Sequence, residues 1–342
     1  MKHDGSVWAA GANIFGELGA GFRNPNVPNF VKIFSFGAKA VAAGGAHSMV
    51  MMEDGSVWTA GRNQYGQLGD GTNSGREYFV KVVTHGAKVL SAGSRHSLMV
   101  QQDGSLWVAG SNLHGQLGDS FEDRNVFMQV YLSGVKSAAA GADHTLVLRN
   151  DGTVWATGAN SFGQLGDGSY QTRRRAVKII ESGAVVVAAG GHHSMVLKQD
   201  GTVWAMGANE HGQLGDSSKT NKNVIKEVMT DGRAIAAGFH HSMVLRRDRT
   251  VWSAGSNTCG QLGSGSKTTS DVFIEVVNTG AQAVAAGGWH SMVVKSDGSF
   301  WAAGESTEGQ LGDGTMTDQP KFVKVALAND FFGMGLVARK CP

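Results

Sequence analysis

Short apolar runs, each followed by a turn signal, succeed one another along the chain. One unit contains four such runs, at 38–43, 48–52, 56–60 and 79–83. The first run consists of small residues and ends at Gly44-Gly45, which is typical of a strand buried on both faces. Asp54-Gly55, between the second and third runs, predicts a β-hairpin because both turn positions need positive φ. The fourth run alternates apolar and polar residues, which indicates an outer strand with one solvated face.

A tryptophan and a histidine mark each unit and give its period. Successive tryptophans are separated by 50, 49, 48, 49, 48 and 49 residues, and such regular self-similarity indicates a repeat architecture. Four antiparallel strands in each repeat predict an all-β fold, a seven-bladed β-propeller. The tryptophans are Trp8, Trp58, Trp107, Trp155, Trp204, Trp252 and Trp301, and the histidines are His47, His96, His144, His193, His241 and His290.

The two ends of the chain are expected to meet in one blade. The sequence opens on a third-strand motif near Gly5–Gly11, so residues 1–36 would supply the two outer strands of a closing blade. Residues 326–342 would then supply its two inner strands, roughly 329–335 and 336–341. Such sharing removes an exposed sheet edge. The prediction is a single propeller domain that spans 1–342.

The repeated tryptophans and histidines are interpreted as structural. A tryptophan buries a large apolar surface, and its even recurrence suits a wedge between neighbouring blades. A histidine beside each turn is expected to be buried and to satisfy backbone groups. Metal ligands must converge within a few ångströms, whereas equivalent positions of a propeller are spread around a ring. No Ser-His-Asp or Cys-His set stands out, so we expect no catalytic residues, no metal and no cofactor.

Composition narrows the class of partner and the compartment. The net charge is +2, from 30 basic and 28 acidic residues, which does not favour a nucleic-acid or acidic-membrane binder. No stretch of 18 apolar residues is present to cross a membrane. Two cysteines, Cys259 and Cys341, are too few for a disulfide framework. We expect an intracellular monomer, cytoplasmic or nuclear, that binds another protein.

The repeated unit resembles a known family. The pattern Asp-Gly-x-x-Trp-x-x-Gly-x-Asn-x-x-Gly-Gln-Leu-Gly-Asp, together with Ala-Gly-x-x-His-Ser, is similar to the regulator of chromosome condensation repeat over about 4–325. The chain departs from the pattern at Glu17 (for glutamine), Ser306 (for asparagine) and Glu308 (where other repeats have Phe15, Tyr65, His114 or Phe162). It also has Arg249 in place of a hairpin glycine, where a strained positive φ is expected.

The resemblance implies a seven-bladed propeller that acts as a binding scaffold. The founding member is a guanine nucleotide exchange factor for a nuclear small GTPase, and other members are domains of ubiquitin ligases or a UV-B photoreceptor. The constant repeat length leaves no room for an inserted element that wedges against a GTPase. The photoreceptor needs several tryptophans before the motif histidines, and this chain has one, Trp289. A non-catalytic protein-interaction scaffold is therefore favoured over an exchange factor and a photoreceptor.

The residues just before each motif histidine vary while the framework stays constant. Loops held by a rigid scaffold are the usual place for recognition, and aromatic residues and arginine are common anchors. The alternative is that these are idle loop residues. Arg173, Arg174 and Lys222 are expected on the opposite rim. The predicted partner-binding rim consists of Arg95, Asp143, His192, Phe239, His240 and Trp289.

Overall fold

The chain folds into antiparallel β-sheets arranged as the blades of a propeller. The computed structural model describes residues 1–119, 122–131 and 133–325. These form six four-stranded blades and one two-stranded sheet, the N-terminal sheet, of β1 (Val7–Ala12) and β2 (Asn26–Phe34). The predicted all-β propeller with four-stranded antiparallel blades is thereby confirmed.

Blades 1 to 6 follow one another in the chain, and each pairs its four strands in sequence order. Their first two strands are β3 (Ala38–Ala43) and β4 (His47–Met52), β7 (Ala87–Ala92) and β8 (His96–Gln101), β11 (Val135–Ala140) and β12 (His144–Arg149), β15 (Ala184–Ala189) and β16 (His193–Lys198), β19 (Gly232–Ala237) and β20 (His241–Arg246), and β23 (Ala281–Ala286) and β24 (His290–Lys295). Their outer two strands are β5 (Val57–Gly61) and β6 (Arg76–Val83), β9 (Leu106–Gly110) and β10 (Arg124–Tyr131), β13 (Val154–Gly158) and β14 (Arg173–Ile180), β17 (Val203–Gly207) and β18 (Lys222–Met229), β21 (Val251–Gly255) and β22 (Ser270–Val277), and β25 (Phe300–Gly304) and β26 (Gln319–Lys324).

The first strand of each blade lies at the axis, and its small residues make that approach possible. A narrow axial cavity of about 90 Å³ is lined by alanine and glycine at the ends of these strands, including Ala43, Ala140 and Ala237. Larger side chains pack between blades. Trp155 of blade 3, for example, contacts the core cluster that contains Leu98 and Val100 of blade 2.

Strand register defines two rims. At one end of blade 1, His47 is opposite Gly61, and Gly61 is opposite Arg76. The turn between the first two strands and the long loop between the last two therefore lie at this end, which we name the upper rim. The Asp-Gly hairpins and the connections between blades lie at the other end, the lower rim.

The N-terminal sheet lies between blade 6 and blade 1. The long upper-rim loop of each of several blades bridges the outer strand of the next, as Asp167 does with Val224. The same bridge joins Asp313 of blade 6 to Asn29 of β2, and Ala20 joins the N-terminal sheet to Tyr78 of blade 1. The predicted inner strands of a closing blade, in 326–342, lie outside the described residues.

The blade tryptophans lie at the lower half of the third strand, half-buried. Each indole Nε1 donates to the hydroxyl of the serine or threonine two residues earlier, at 2.8–3.2 Å. Several rings also carry a cation on their face, such as Lys81 over Trp58 at 5.1 Å. The ring thus fills space between blades while its polar edge closes the hairpin.

The hairpin at Arg249 adopts the predicted strained conformation. Arg249 has a φ of +69°, and the glycines at the equivalent turns also have positive φ. Its carbonyl accepts from the backbone N–H of Ala281, the first residue of the next blade, at 3.0 Å. Its side chain donates to Ser296 Oγ at 3.1 Å in an exposed position. The expectation of positive φ is confirmed.

We predict that Arg249→Gly leaves the free energy of unfolding unchanged or raises it by up to ~1 kcal/mol, because glycine carries no Cβ penalty at this φ. Chemical denaturation measures the change. The control is Gly55→Ala at the equivalent turn, where φ is +75° and a Cβ would lie 2.7 Å from Gly86 N. That variant should be clearly destabilised. A loss of more than ~1 kcal/mol in Arg249→Gly would show that the exposed bond to Ser296 outweighs backbone strain.

Candidate interaction surface

A hydroxyl from the next blade holds each upper-rim turn in place. The imidazole Nε2 of His47 lies 2.8 Å from Ser97 Oγ, and that hydroxyl donates to the Gln67 carbonyl at 2.7 Å. Because the hydroxyl proton is used by the carbonyl, the imidazole donates from Nε2 and leaves Nδ1 unprotonated. One side chain of blade 2 therefore joins the turn and the long loop of blade 1.

The same link recurs around the ring. Equivalent distances of 2.9–3.0 Å join His96 to Thr145, His144 to Ser194, His193 to Ser242, and His241 to Ser291. The histidines were expected to satisfy backbone groups of their own turns. Instead they reach a hydroxyl of the neighbouring blade, because the sheet directs each imidazole across the blade boundary. His290 of blade 6 is buried at the equivalent position.

Burial keeps these imidazoles neutral. It lowers the pKa to about 4 for His47 and His290 and to about 3 for His96, His144 and His241, and it lowers the pKa of His193 well below its usual value. Desolvation penalises the charged form of a buried imidazole. Each ring also fills the space beside the preceding glycine: a Cβ on Gly44 would lie 2.4 Å from His47 Cε1.

The predicted rim residues share the upper rim but differ in exposure. Arg95 is exposed, Asp143, His192, Phe239 and His240 are half-buried, and the Trp289 side chain is only 9% exposed. Two polar atoms at these positions, Asp143 Oδ1 and Trp289 Nε1, are buried without a hydrogen-bond partner. Buried polar atoms are normally bonded, so these two atoms depart from the usual pattern.

The prediction that Arg173, Arg174 and Lys222 lie on the opposite rim is wrong. Arg173 pairs with Gly158, which lies at the His144 end of its blade. Lys222 is placed in the same way by its pairing with Gly207. An antiparallel fourth strand begins where the third strand ends, so these residues lie on the upper rim at larger radius. Arg173 also forms an ion pair with Asp167, with 2.6 Å between Nε and Oδ2.

A chain of ring contacts crosses the upper rim from blade 3 to blade 6. Ring centroids are separated by 5.0 Å for Phe162 and His192, 5.5 Å for His192 and Phe239, and 4.9 Å for Phe239 and His240. Trp289 lies 5.2 Å from His240. Aromatic pairs at these separations stabilise one another beyond simple burial, so the predicted arc is a single packed cluster.

Sequence reasoning missed a second layer of this cluster, from the long loops. Phe162 stacks on His192 and His211 lies 4.7 Å from His240, and each pair joins one blade to the next. Tyr65 is covered by Arg95 in the same arrangement, at 5.4 Å. The signal was present: these residues occupy the variable position before Gly-Gln-Leu-Gly. Their proximity to the next blade's turn depends on blade packing, which spacing alone does not reveal.

A metal site was also sought among the described residues. Within 1–119, 122–131 and 133–325, no three histidine, cysteine, aspartate or glutamate side chains converge as a metal site would require. The Cys259 side chain is buried.

Across the part of the chain that the structure describes, no helix is long and apolar enough to cross a bilayer.

Repeats of this geometry, with a buried histidine and a glycine-bounded loop in every blade, define a class of β-propeller. The sequence profile described as "Regulator of chromosome condensation (RCC1) repeat" matches in two forms. One form matches residues 38–67, 88–116, 135–164, 184–213, 233–261 and 281–310, and the other matches 4–51, 54–100, 151–197 and 200–245. The chain belongs to the regulator of chromosome condensation (RCC1) repeat family.

Solved structures show the same fold at low sequence identity. Human WBSCR16 has a TM-score of 0.88 and 20% identity, with 97% of this chain and 96% of that chain covered. Yeast RCC1 (Prp20) bound to Kap60 has a TM-score of 0.83 and 22% identity, covering 94% and 84%. Prp20p from Saccharomyces cerevisiae, described with its binding properties to Gsp1p and histones, has a TM-score of 0.82 and 22% identity, covering 94% and 86%. No curated protein sequence gives a significant match.

The buried histidines predict a steep loss of stability in mild acid. Their folded-state pKa lies below the unfolded value of 6.5, so the unfolded chain binds the protons. The stability that neutral imidazoles contribute is complete above pH 6.5 and is lost as pH falls towards 4. From pH 6.5 to 5.5 each histidine should cost about 1 kcal/mol, and the six together on the order of 6 kcal/mol.

Urea unfolding between pH 7.5 and 5.5 measures this slope, above the range where aspartates titrate. His96→Gln should reduce the slope by about one sixth, whatever its absolute stability. His85→Gln, at an exposed lower-rim position, is the control and should leave the slope unchanged. A free energy of unfolding that does not vary over this pH range would contradict the assignment.

Proposed function

We propose that this protein is an intracellular, non-catalytic scaffold that binds another protein through its upper rim. The observation that carries the proposal is the ring cluster of Phe162, His192, Phe239, His240 and Trp289, set in loops on a rigid framework. Clustered aromatic residues are the common energetic centre of protein interfaces. The buried unbonded Trp289 Nε1 adds a donor that a partner could satisfy. We propose no cofactor and a monomeric propeller.

Two other functions of the family have less support. An exchange factor for a small GTPase is the alternative suggested by the fold shared with yeast RCC1, but repeat steps of 48–50 residues contain no inserted element. A UV-B photoreceptor needs several tryptophans at the upper rim, whereas the other seven tryptophans lie on third strands and donate to hydroxyls. Nucleotide release from a panel of small GTPases tests the first alternative directly.

We also propose that the chain is one seven-bladed domain in which 326–342 complete the N-terminal sheet. That sheet already contacts blade 6 and blade 1 on either side. Beside β1 lies an apolar cleft whose lining includes Val7, Val50 and Met292. A sheet of two strands is marginal alone, and two further strands would cover this cleft and pair the edge of β1.

Deleting 326–342 should lower the free energy of unfolding by at least ~3 kcal/mol, since apolar side chains of the cleft become exposed. Denaturation of the full and shortened chains measures the loss. A chain with the same tail residues in scrambled order is the control and should resemble the deletion. Hydrogen exchange should be faster in 326–342 than in Ala281–Ala286, because the tail lacks the motif histidine. Equal stability of full and shortened chains would overturn the closure.

The rim assignment predicts which substitutions weaken partner binding. For a partner captured by proximity labelling and then purified, Trp289→Ala combined with His240→Ala should cost at least ~2 kcal/mol in affinity. Trp289 is 9% exposed, so this variant should also lose stability, and binding must be measured well below its melting temperature.

Gln102→Ala with Gln199→Ala is the matched control. Both glutamines are exposed at lower-rim hairpins, so this pair should leave affinity unchanged. If binding survives the upper-rim variant and disappears in the lower-rim variant, the interface lies on the lower rim and the proposal is wrong.

A further inference from the structure

Several aromatic rings in the described part of the chain are covered by one of its own cations. Arg95 lies over Tyr65 at 5.4 Å and Arg62 over Phe15 at 5.0 Å on the upper rim. Lysine or arginine also covers five of the blade tryptophans, as Lys295 covers Trp301 at 4.6 Å. Cation–π contacts occur only about once in 70–80 residues of an average protein. This chain therefore uses cation–π contacts more often than an average protein does.

The rings on blades 5 and 6 depart from this pattern. No lysine or arginine of the described residues lies over Phe239 or Trp289. The place that Arg95 takes above Tyr65 is taken on blades 4 and 5 by imidazoles, His192 above Phe162 and His240 beside His211. These rings are therefore packed against other rings, whereas Phe15 and Tyr65 are covered by arginine.

Three of these rings form an arrangement that could receive a cation. The centroids of Phe239, His240 and Trp289 make a triangle with sides of 4.9, 5.2 and 6.5 Å. The Phe239 and Trp289 planes are nearly parallel, at 19°, and His240 is steeply inclined to both, at 76° and 59°. A charge about 4 Å above the centroid plane would lie about 5 Å from all three, within the ~6 Å range of cation–π attraction.

A second observation indicates that the occupant carries a carbonyl. Trp289 is 9% exposed, and its buried Nε1 has no hydrogen-bond partner, whereas the seven blade indoles each donate to a hydroxyl. A buried donor without an acceptor costs about 1–3 kcal/mol. A peptide would supply both groups, a cationic side chain over the rings and a backbone carbonyl beside Trp289.

We propose that the triad of Phe239, His240 and Trp289 binds an arginine side chain presented by a peptide segment of the partner. Arginine is favoured over lysine because its planar guanidinium stacks on aromatic faces and is weakly hydrated. It is also the residue that the chain itself places over Phe15 and Tyr65 at this rim. The proposal deepens the proposed function and rests on it.

Indole N–H resonances of the full-length, ¹⁵N-labelled protein provide the test. The probes are four short peptides, acetyl-Gly-X-Gly-amide, in which X is arginine, citrulline, lysine or trimethyl-lysine. Citrulline keeps the planar shape of arginine and removes the charge. We expect the arginine peptide to shift the Trp289 resonance saturably, while the seven bonded indoles act as internal references, and the citrulline peptide to bind at least ~5-fold more weakly.

Conservative substitutions separate ring chemistry from folding. Phe239→Leu keeps apolar volume and should weaken the arginine peptide at least ~5-fold. Phe36→Leu makes the same change at an exposed residue between β2 and β3, outside the ring cluster, and should stay within about 2-fold of the parent protein. Equal binding of arginine and citrulline, tighter binding of trimethyl-lysine, or shifts spread over all eight indoles would each overturn the proposal.

Failure of this inference is distinguishable from failure of the proposed function. If the purified partner loses affinity in the upper-rim variant but the peptides show no preference for arginine, the scaffold function stands and the arginine site does not. If the partner binds the upper-rim variant normally, the proposed interface itself is wrong.

Discussion

Five blade boundaries, from blades 1 and 2 to blades 5 and 6, depend on one hydroxyl each. Ser97, and its serine or threonine equivalents, accepts from the imidazole of the preceding blade and donates to a carbonyl of that same blade. Losing the hydroxyl would leave a buried donor and a buried acceptor without partners, which is more costly than the bond itself contributes. The link also joins the two loops that make the upper rim. Architecture and recognition surface are therefore stabilised by the same atoms.

This dependence explains why the upper-rim turns tolerate variation. The histidine, its glycine neighbour and the receiving hydroxyl satisfy the polar groups beneath the turn. The side chain of the residue just before the histidine takes no part in this link. That residue is alanine in blade 1, aspartate in blade 3 and tryptophan in blade 6. A rigid base with a variable tip is how loop-based binding sites are usually built.

Much of the fold could be predicted because its signals are local. Asp54-Gly55 marks the hairpin, although positive φ was expected at both residues and only Gly55 has it. The tryptophan spacing gives the repeat. The positive φ of Arg249 followed from the glycines at equivalent turns. These inferences need only the residue and its neighbours in sequence.

The candidate site was harder to predict from the sequence because its contacts join different blades. Placing Arg173 required the register of a fourth strand on a third, and it lies at the end opposite to that expected. Pairing Phe162 with His192 required the distance between a loop and the next blade's turn. Sequence reasoning placed only the turn residue of each such pair in the site, since the contact with the loop residue depends on how two blades pack.

Because rim residues pair across blade boundaries, the order of the blades decides which side chains meet on the upper rim. His192 depends on Phe162 of the blade before it, and His240 depends on His211 in the same way. A blade moved to another place in the ring would keep its own strands but would meet a different neighbour. The unit of surface variation is therefore the boundary between two blades. Recombination that preserves adjacent pairs would keep these ring contacts, whereas exchange of a single repeat would replace one partner of each.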